Sequence, residues 1–213
     1  MFQVKMFTFN PVQENTYVLW NENLDAIIID PGCYTPAEER ALFDFISQHK
    51  LRPVKLINTH CHLDHVFGNK WVAETFDLPL QLHADEAAVL GRAPATAMMW
   101  GLGIKQFSGK MEYLKEGDVI TLGEDRLEVI EAPGHSPGHL CFYCRAQNFI
   151  IGGDVLFFGS IGRTDLPGGN HSQLINNIKN KLLVLPPETR VYPGHGQETT
   201  IGNEKKHNPF LQD

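Results

Sequence analysis

The sequence has no block of basic residues. Its densest cationic pair is Lys205-Lys206, and the formal net charge is -7. A nucleic-acid interface or an anionic membrane surface needs a positive field, so neither partner is expected. No apolar run approaches the ~20 residues of a membrane span. The opening stretch, residues 1–9, lacks the long apolar core of a secretory leader, and a cytoplasmic protein is expected. Only four cysteines occur, Cys33, Cys61, Cys141 and Cys144, too few in a chain of 213 residues to suggest a disulfide framework. Linkers rich in Pro, Gly or Ser, low-complexity tracts and internal repeats are also missing. One domain over residues 1–213 is the simplest organisation, and a chain this long buries enough surface to fold without staples.

What is present is an alternation of strand and helix patterns. Residues 4–9 and 16–20 alternate apolar and polar side chains, as half-buried strands do. Residues 26–29 form a continuous apolar run that ends at Asp30-Pro31-Gly32, a turn signal. Thr35, Pro36 and Glu38 spell a helix start with a capping box, and Leu42, Phe45, Ile46 and His49 mark one face behind it. A strand is predicted over 54–58, a helix over 64–76, a strand over 80–83 and a helical stretch from Ala84. Residues 93–110 show no period and read as an inserted loop or lid. Strands are predicted at 119–122, 127–131, 140–143 and 149–151, a helix over 171–183 and a last strand at 191–192. The order is mixed α and β, with sheets covered by helices.

The densest chemical signal is Thr59-His60-Cys61-His62-Leu63-Asp64-His65. It follows an apolar strand at the point where the chain turns into a helix. His60 and His62 from the turn can converge with Asp64 and His65 from the first helical turn. Imidazole and carboxylate are donors that zinc, iron and manganese accept. Three later segments repeat the device of a strand followed by a glycine turn. They are Pro133-Gly134-His135, Gly152-Gly153-Asp154 and Pro193-Gly194-His195. Each is weak alone; all of them stand at the ends of apolar strands.

These residues resemble the metallo-β-lactamase superfamily across nearly the whole chain. The match runs from Ile-Ile-Asp30-Pro-Gly32 through His60-x-His62-x-Asp64-His65, His135, Asp154 and His195 to Asn208-Pro209-Phe210. It is nearest to the short bacterial glyoxalase II-like hydrolases, whose Gly-Arg163-Thr-Asp165 stretch also recurs. The resemblance implies an αββα four-layer sandwich. It implies two divalent metal ions, zinc first and iron or manganese as alternatives. His60, His62 and His135 would hold one ion; Asp64, His65 and His195 would hold the other; Asp154 would bridge them. It also implies a small-molecule thioester substrate, attacked by a metal-bridged hydroxide because the cations pull the water pKa from ~15.7 toward ~7. Asp64 and Asp154 would carry the catalytic weight, and Arg163 is either a fork for a substrate carboxylate or a structural partner of Asp165 or another acid. The chain ends soon after Phe210, without the basic helical extension that larger glyoxalase II enzymes turn to glutathione, so a thioester other than a glutathione one fits equally.

A second reading takes His60, His135 and Asp154 as the ligands of a single iron in a persulfide dioxygenase-type oxidoreductase. Other polar residues receive quieter roles. His139 and His83 are expected to support the site. Cys61 is expected to point away from its neighbours. Cys141-x-x-Cys144 lies in a predicted strand with no second pair to complete a zinc site.

Overall fold

The computed structural model describes residues 1–212, and the chain divides into two compact units. The first comprises Met1–Leu114 with Thr121–Asp125. Its sheet has six strands in the order β1-β2-β3-β4-β5-β6: Gln3–Phe9, Glu14–Trp20, Asp25–Ile29, Arg52–Ile57, Leu80–His83 and Met111–Leu114. The first three pair antiparallel and the rest parallel. Parallel neighbours need crossovers, and helices supply them. Helix α1, Pro36–Gln48, links β3 to β4; α2, Leu63–Val66, and α3, Asn69–Phe76, link β4 to β5; α4, Glu86–Met99, follows β5.

The predicted capping box of α1 is present. Thr35 accepts from the Glu38 amide at 3.3 Å, and Glu38 accepts in return from the Thr35 amide at 2.8 Å. Leu42 and Ile46 turn the apolar face of α1 into a core shared with Val18, Ile28, Leu56, Val72 and Leu80. The helix expected over 64–76 is instead two helices, because Gly68 passes against the chain after β3. Its amide donates to the Pro31 carbonyl at 2.7 Å, and an added Cβ would strike Cys33. The aperiodic 93–110 segment is helical as far as Met99, and β6 was not anticipated. The turns of α4 bury Ala93 and Ala97, side chains too small to register as a hydrophobic stripe, and leave Met98 and Met99 exposed.

The second unit comprises Lys115–Ile120 and the chain from Arg126. Its sheet runs β14-β13-β10-β9-β8-β7: Thr199–Thr200, Arg190–Pro193, Phe149–Gly153, Leu140–Cys144, Asp125–Glu131 and Val119–Leu122. A short hairpin, β11 Leu156–Phe157 with β12 Ser160–Ile161, follows β10. Helix α5, His171–Asn177, widens into a π-helical stretch, Ile178–Leu182, and α6 spans Ile201–His207. Leu174, Ile178 and Leu182 pack with Ile150, Val191 and Cys141 into this unit's core. Cys141 and Cys144 are both buried on β9, where the Cys141 thiol donates to the Gly152 carbonyl at 3.5 Å. Among the described residues no helix is long and apolar enough to cross a membrane.

Candidate metal centre

In the first unit, β3 and β4 run parallel and end together, with Ile29 opposite Ile57. The residues just beyond those ends therefore meet. Asp30 takes a left-handed backbone, φ 49°, and its buried carboxylate gathers the turn after β4. Oδ1 accepts from the Thr59 amide at 2.7 Å and from the Asn58 side chain at 3.2 Å. Oδ2 accepts from the Thr59 hydroxyl at 2.6 Å and faces His65 Nδ1 at 3.1 Å.

These bonds fix two imidazole tautomers. Since the Asp30 carboxylate only accepts, His65 Nδ1 carries the hydrogen and Nε2 is the basic nitrogen. Thr59 has given its one hydroxyl hydrogen to Asp30, so toward His60 Nδ1, 3.1 Å away, it can only accept. His60 therefore also keeps its hydrogen on Nδ1 and its lone pair on Nε2. The rings of His60 and His62 meet edge to face at 4.8 Å, and those of His60 and His65 lie 4.1 Å apart. Asp64 Oδ2 lies 3.6 Å from His65 Nε2.

Support for this turn comes from polar residues buried beneath it. Asn69 donates to Asn58 at 2.6 Å, which in turn donates to Asp30, so a chain of amides runs from α3 to the ligand turn. Glu14 on β2 is fully buried, 3.8 Å from His65, and burial pushes its carboxyl well above the usual range. Gly32 has to be glycine here. A Cβ would run into the Glu14 carboxylate and come within 2.6 Å of the Asp64 carbonyl. None of Glu14, Asn58, Asn69 and Glu86 belongs to a recognisable motif. Asp30 was legible only as the start of a turn.

In the second unit, β10 and β13 run parallel with Ile151 opposite Tyr192; after a register shift between Ile151 and Gly153 the Gly194 amide still donates to the Gly153 carbonyl at 2.8 Å, so the two ends stay side by side. Asp154 and His195 stand just past those ends, with His195 Nε2 3.6 Å from Asp154 Oδ2. His135 follows β8 in a turn held by α5. Asn177 donates to the Pro133 carbonyl at 2.7 Å, and the Asn170 amide donates to the Gly134 carbonyl at 2.7 Å. His135 Nδ1 faces the Arg163 carbonyl at 2.8 Å. A carbonyl only accepts, so again Nδ1 carries the hydrogen and Nε2 the lone pair. That Nε2 lies 3.4 Å from the same Asp154 Oδ2. His139 is fully buried and accepts from the Asp154 amide at 3.0 Å, so it seats the carboxylate from behind. Gly162 closes this half. A Cβ there would strike the Asp154 carbonyl and lie 3.1 Å from His135 Nδ1.

The same feature recurs in both units. The basic Nε2 of His65 and that of His135 each face a carboxylate oxygen, at 3.6 and 3.4 Å, beyond the ~2.7–3.2 Å of a hydrogen bond. Two acceptors facing each other repel unless a cation lies between them. Ligands on a tetrahedral ion with bonds of ~2.0–2.1 Å stand roughly 3.4 Å apart, so the donor sets suit a small divalent metal.

Arg163 lies on the loop that carries the His135 acceptor. Its guanidinium forms a two-pronged pair with Asp165 at 2.7 Å for each bond, and this holds the Asp165 carboxyl down to about 2. His83 Nδ1 accepts from the Asp85 amide at 3.2 Å. The Cys61 thiol is buried, 4.0 Å from Asn58 Oδ1, and burial raises it well above the usual range.

The family profile of the metallo-beta-lactamase superfamily matches residues 9–195, and the chain belongs to that superfamily. It is therefore a member of a metallo-hydrolase family whose His and Asp groups bind divalent metal. A probable metallo-hydrolase, YqgX of Bacillus subtilis, is 39% identical over 202 residues, covering 94% of this chain and 93% of that one. The hydroxyacylglutathione hydrolase GloC of Haemophilus influenzae is 35% identical over 210 residues, covering 98% and 97%. Among solved structures, the B3 metallo-beta-lactamase BLEG-1 superposes with a TM-score of 0.91 at 38% identity, covering 99% of this chain and all of that one. TTHA1623, in a di-iron-bound form, gives 0.87 at 39% identity, covering 97% and 100%. The mixed α/β architecture is accordingly the metallo-β-lactamase fold.

Proposed function

We propose that the two units act as one catalytic domain, that their ligand sets close on a single two-metal centre, and that the enzyme hydrolyses a thioester. The observation that carries this reading is the recurrent pairing of an imidazole Nε2 with a carboxylate oxygen at the spacing of ligands on one ion. His60, His62 and His135 would hold one cation, Asp64, His65 and His195 the other, and Asp154 both. Bound there, two divalent cations lower the pKa of a shared water toward ~7 and polarise the substrate carbonyl. Zinc, iron and manganese all suit imidazole and carboxylate donors, and zinc is the first choice.

The chain's own groups do the rest. Asp30, Thr59 and the Arg163 carbonyl hold the Nδ1 hydrogens of His65, His60 and His135, which keeps each Nε2 basic. Asp154 is held by its own amide on His139, and Asp64 offers an oxygen beside His65 that can take a proton during turnover. A thioester suits such a centre because its carbonyl is electrophilic and its thiolate leaves without protonation. GloC, a hydroxyacylglutathione hydrolase, supports this substrate class. Arg163 is the candidate contact for a substrate carboxylate. Its pair with Asp165 is exposed on both sides, where water screens the attraction, so a substrate can displace Asp165 at little cost.

The test is elemental analysis of protein purified without added metal, paired with assays of thiol release from small thioesters. Two metal equivalents per chain and thiol release are expected. One iron, with oxygen uptake on a persulfide and no thioester cleavage, would replace this reading by the dioxygenase one.

A further inference from the structure

A second buried carboxylate, besides Asp30, grips the ligand turn. Glu86 is the first residue of α4, fully buried, and its Oε2 accepts from the Cys61 amide at 2.7 Å. Cys61 lies between His60 and His62. The backbone here is extended, with His62 at φ -64° and ψ 155°, so side chains at alternate positions share one side. The two imidazoles stand on that side, edge to face, and the Cys61 thiol turns inward, 4.0 Å from Asn58 Oδ1. The amides of Thr59 and Cys61, the residues flanking His60, are thus each held by a buried carboxylate, one from the end of β3 and one from the start of α4.

Packing alone does not call for a charge at this place. Burying a carboxylate is costly, and an apolar side chain of similar volume fills space as well. Two features offset the cost. The first turn of a helix stabilises a negative charge, and the backbone N–H of Cys61 gives a charge-assisted hydrogen bond.

We propose that Glu86 is a positioning residue for the metal-binding pair: by holding the Cys61 peptide, it fixes the spacing and mutual angle of the His60 and His62 imidazoles. This rests on the two-metal reading above. In this role Glu86 acts through the backbone between two ligands and is not itself a ligand.

The experiment compares the full chain with Glu86→Ala, Glu86→Gln and, as a control, Leu42→Ala. Leu42 is buried in the core on α1 and makes no side-chain hydrogen bond to the Cys61 peptide, so its truncation lowers stability while the Glu86–Cys61 bond is kept. For each apoprotein the zinc affinity is measured by competition with a chromophoric chelator, and the visible spectrum of the cobalt-substituted form is recorded. Thermal melts by circular dichroism report folding. Zinc affinity should fall about 10–100-fold in Glu86→Ala, as for other groups that orient ligands, with an altered cobalt spectrum. Glu86→Gln keeps an acceptor oxygen and should fall between Glu86→Ala and the unmodified chain. Leu42→Ala should melt earlier yet bind zinc as the unmodified chain does.

Unmodified affinity and spectrum in a folded Glu86→Ala would overturn the proposal. So would an equal loss of affinity in Leu42→Ala. If Glu86→Ala does not fold, Glu86→Gln decides, and unchanged binding there counts against the clamp. An unmodified chain that takes up no metal defeats the two-metal reading, and the clamp with it. Variants that bind normally beside an unmodified chain that also binds defeat the clamp alone.

Discussion

The two units orient their ligands by different means. In the proposed centre the first would give four ligands from one turn, and it supports that turn with buried side-chain polarity: Asp30, Glu86, Thr59, Asn58 and Asn69. The second would give three ligands from three strand ends, and it supports them with one backbone carbonyl, one buried imidazole and close packing at a glycine. The Arg163 carbonyl orients His135, the Asp154 amide is seated on His139, and Gly162 allows the close approach. Ligands that are neighbours in sequence need something to hold adjacent peptides at a defined angle, and buried carboxylates do that. Ligands from separate strands are already placed by sheet register, so they need room more than grip. Substitutions in the first unit should therefore act through lost hydrogen bonds, and those in the second through steric conflict.

The largest effect is expected at the residue that faces two imidazoles at once. Asp154→Ala should abolish thioester cleavage and metal binding while the fold persists, read by elemental analysis and circular dichroism; retained metal and activity would remove Asp154 from the centre. Next is Asp30→Ala. It leaves the Thr59 amide, the Thr59 hydroxyl and His65 Nδ1 without their acceptor, at about 1–3 kcal/mol for each buried donor. A large drop in urea midpoint and weaker zinc binding should appear together. Gly162→Ala should cost about 1–3 kcal/mol by overpacking against the Asp154 carbonyl, with kcat reduced and the tautomers of the first unit untouched in histidine NMR spectra. If Gly162→Ala instead disturbs His65, the contrast between hydrogen-bonded grip in the first unit and close packing in the second fails.

The smallest effect is at Arg163. Arg163→Ala should leave stability nearly unchanged and raise KM only for thioesters that carry a carboxylate. The Asp165 carboxyl lies below its ordinary value because of the guanidinium. The pair is therefore intact at neutral pH and is lost as pH falls through about 2. In Arg163→Ala an NMR titration should find Asp165 back near the ordinary carboxylate range.

Much of this was legible in the residues. The capping box of α1, the alternating strands and the ligand segment around His60 depend on neighbours in sequence, and local pattern reports them. The break at Gly68 was not legible, because it follows from contact with Pro31 and Cys33. The helix through Ala93 and Ala97 escaped notice because alanine buries a face without marking it. Glu14, Asn58, Asn69 and Glu86 were silent for a related reason. A buried polar residue has meaning only through a partner, and the Glu86 partner is the Cys61 backbone, which no side-chain pattern encodes. Asp30 offered a partial signal, a carboxylate closing an apolar strand, which reads as a turn until its hydrogen bonds are seen.

The most direct measurement is anomalous diffraction from crystals of protein purified without added metal, collected at the zinc and iron edges. Two peaks about 3.5–4 Å apart are expected, each ligated from both units, with Asp154 touching both. A single peak, or peaks bounded by residues of one unit only, would contradict the account.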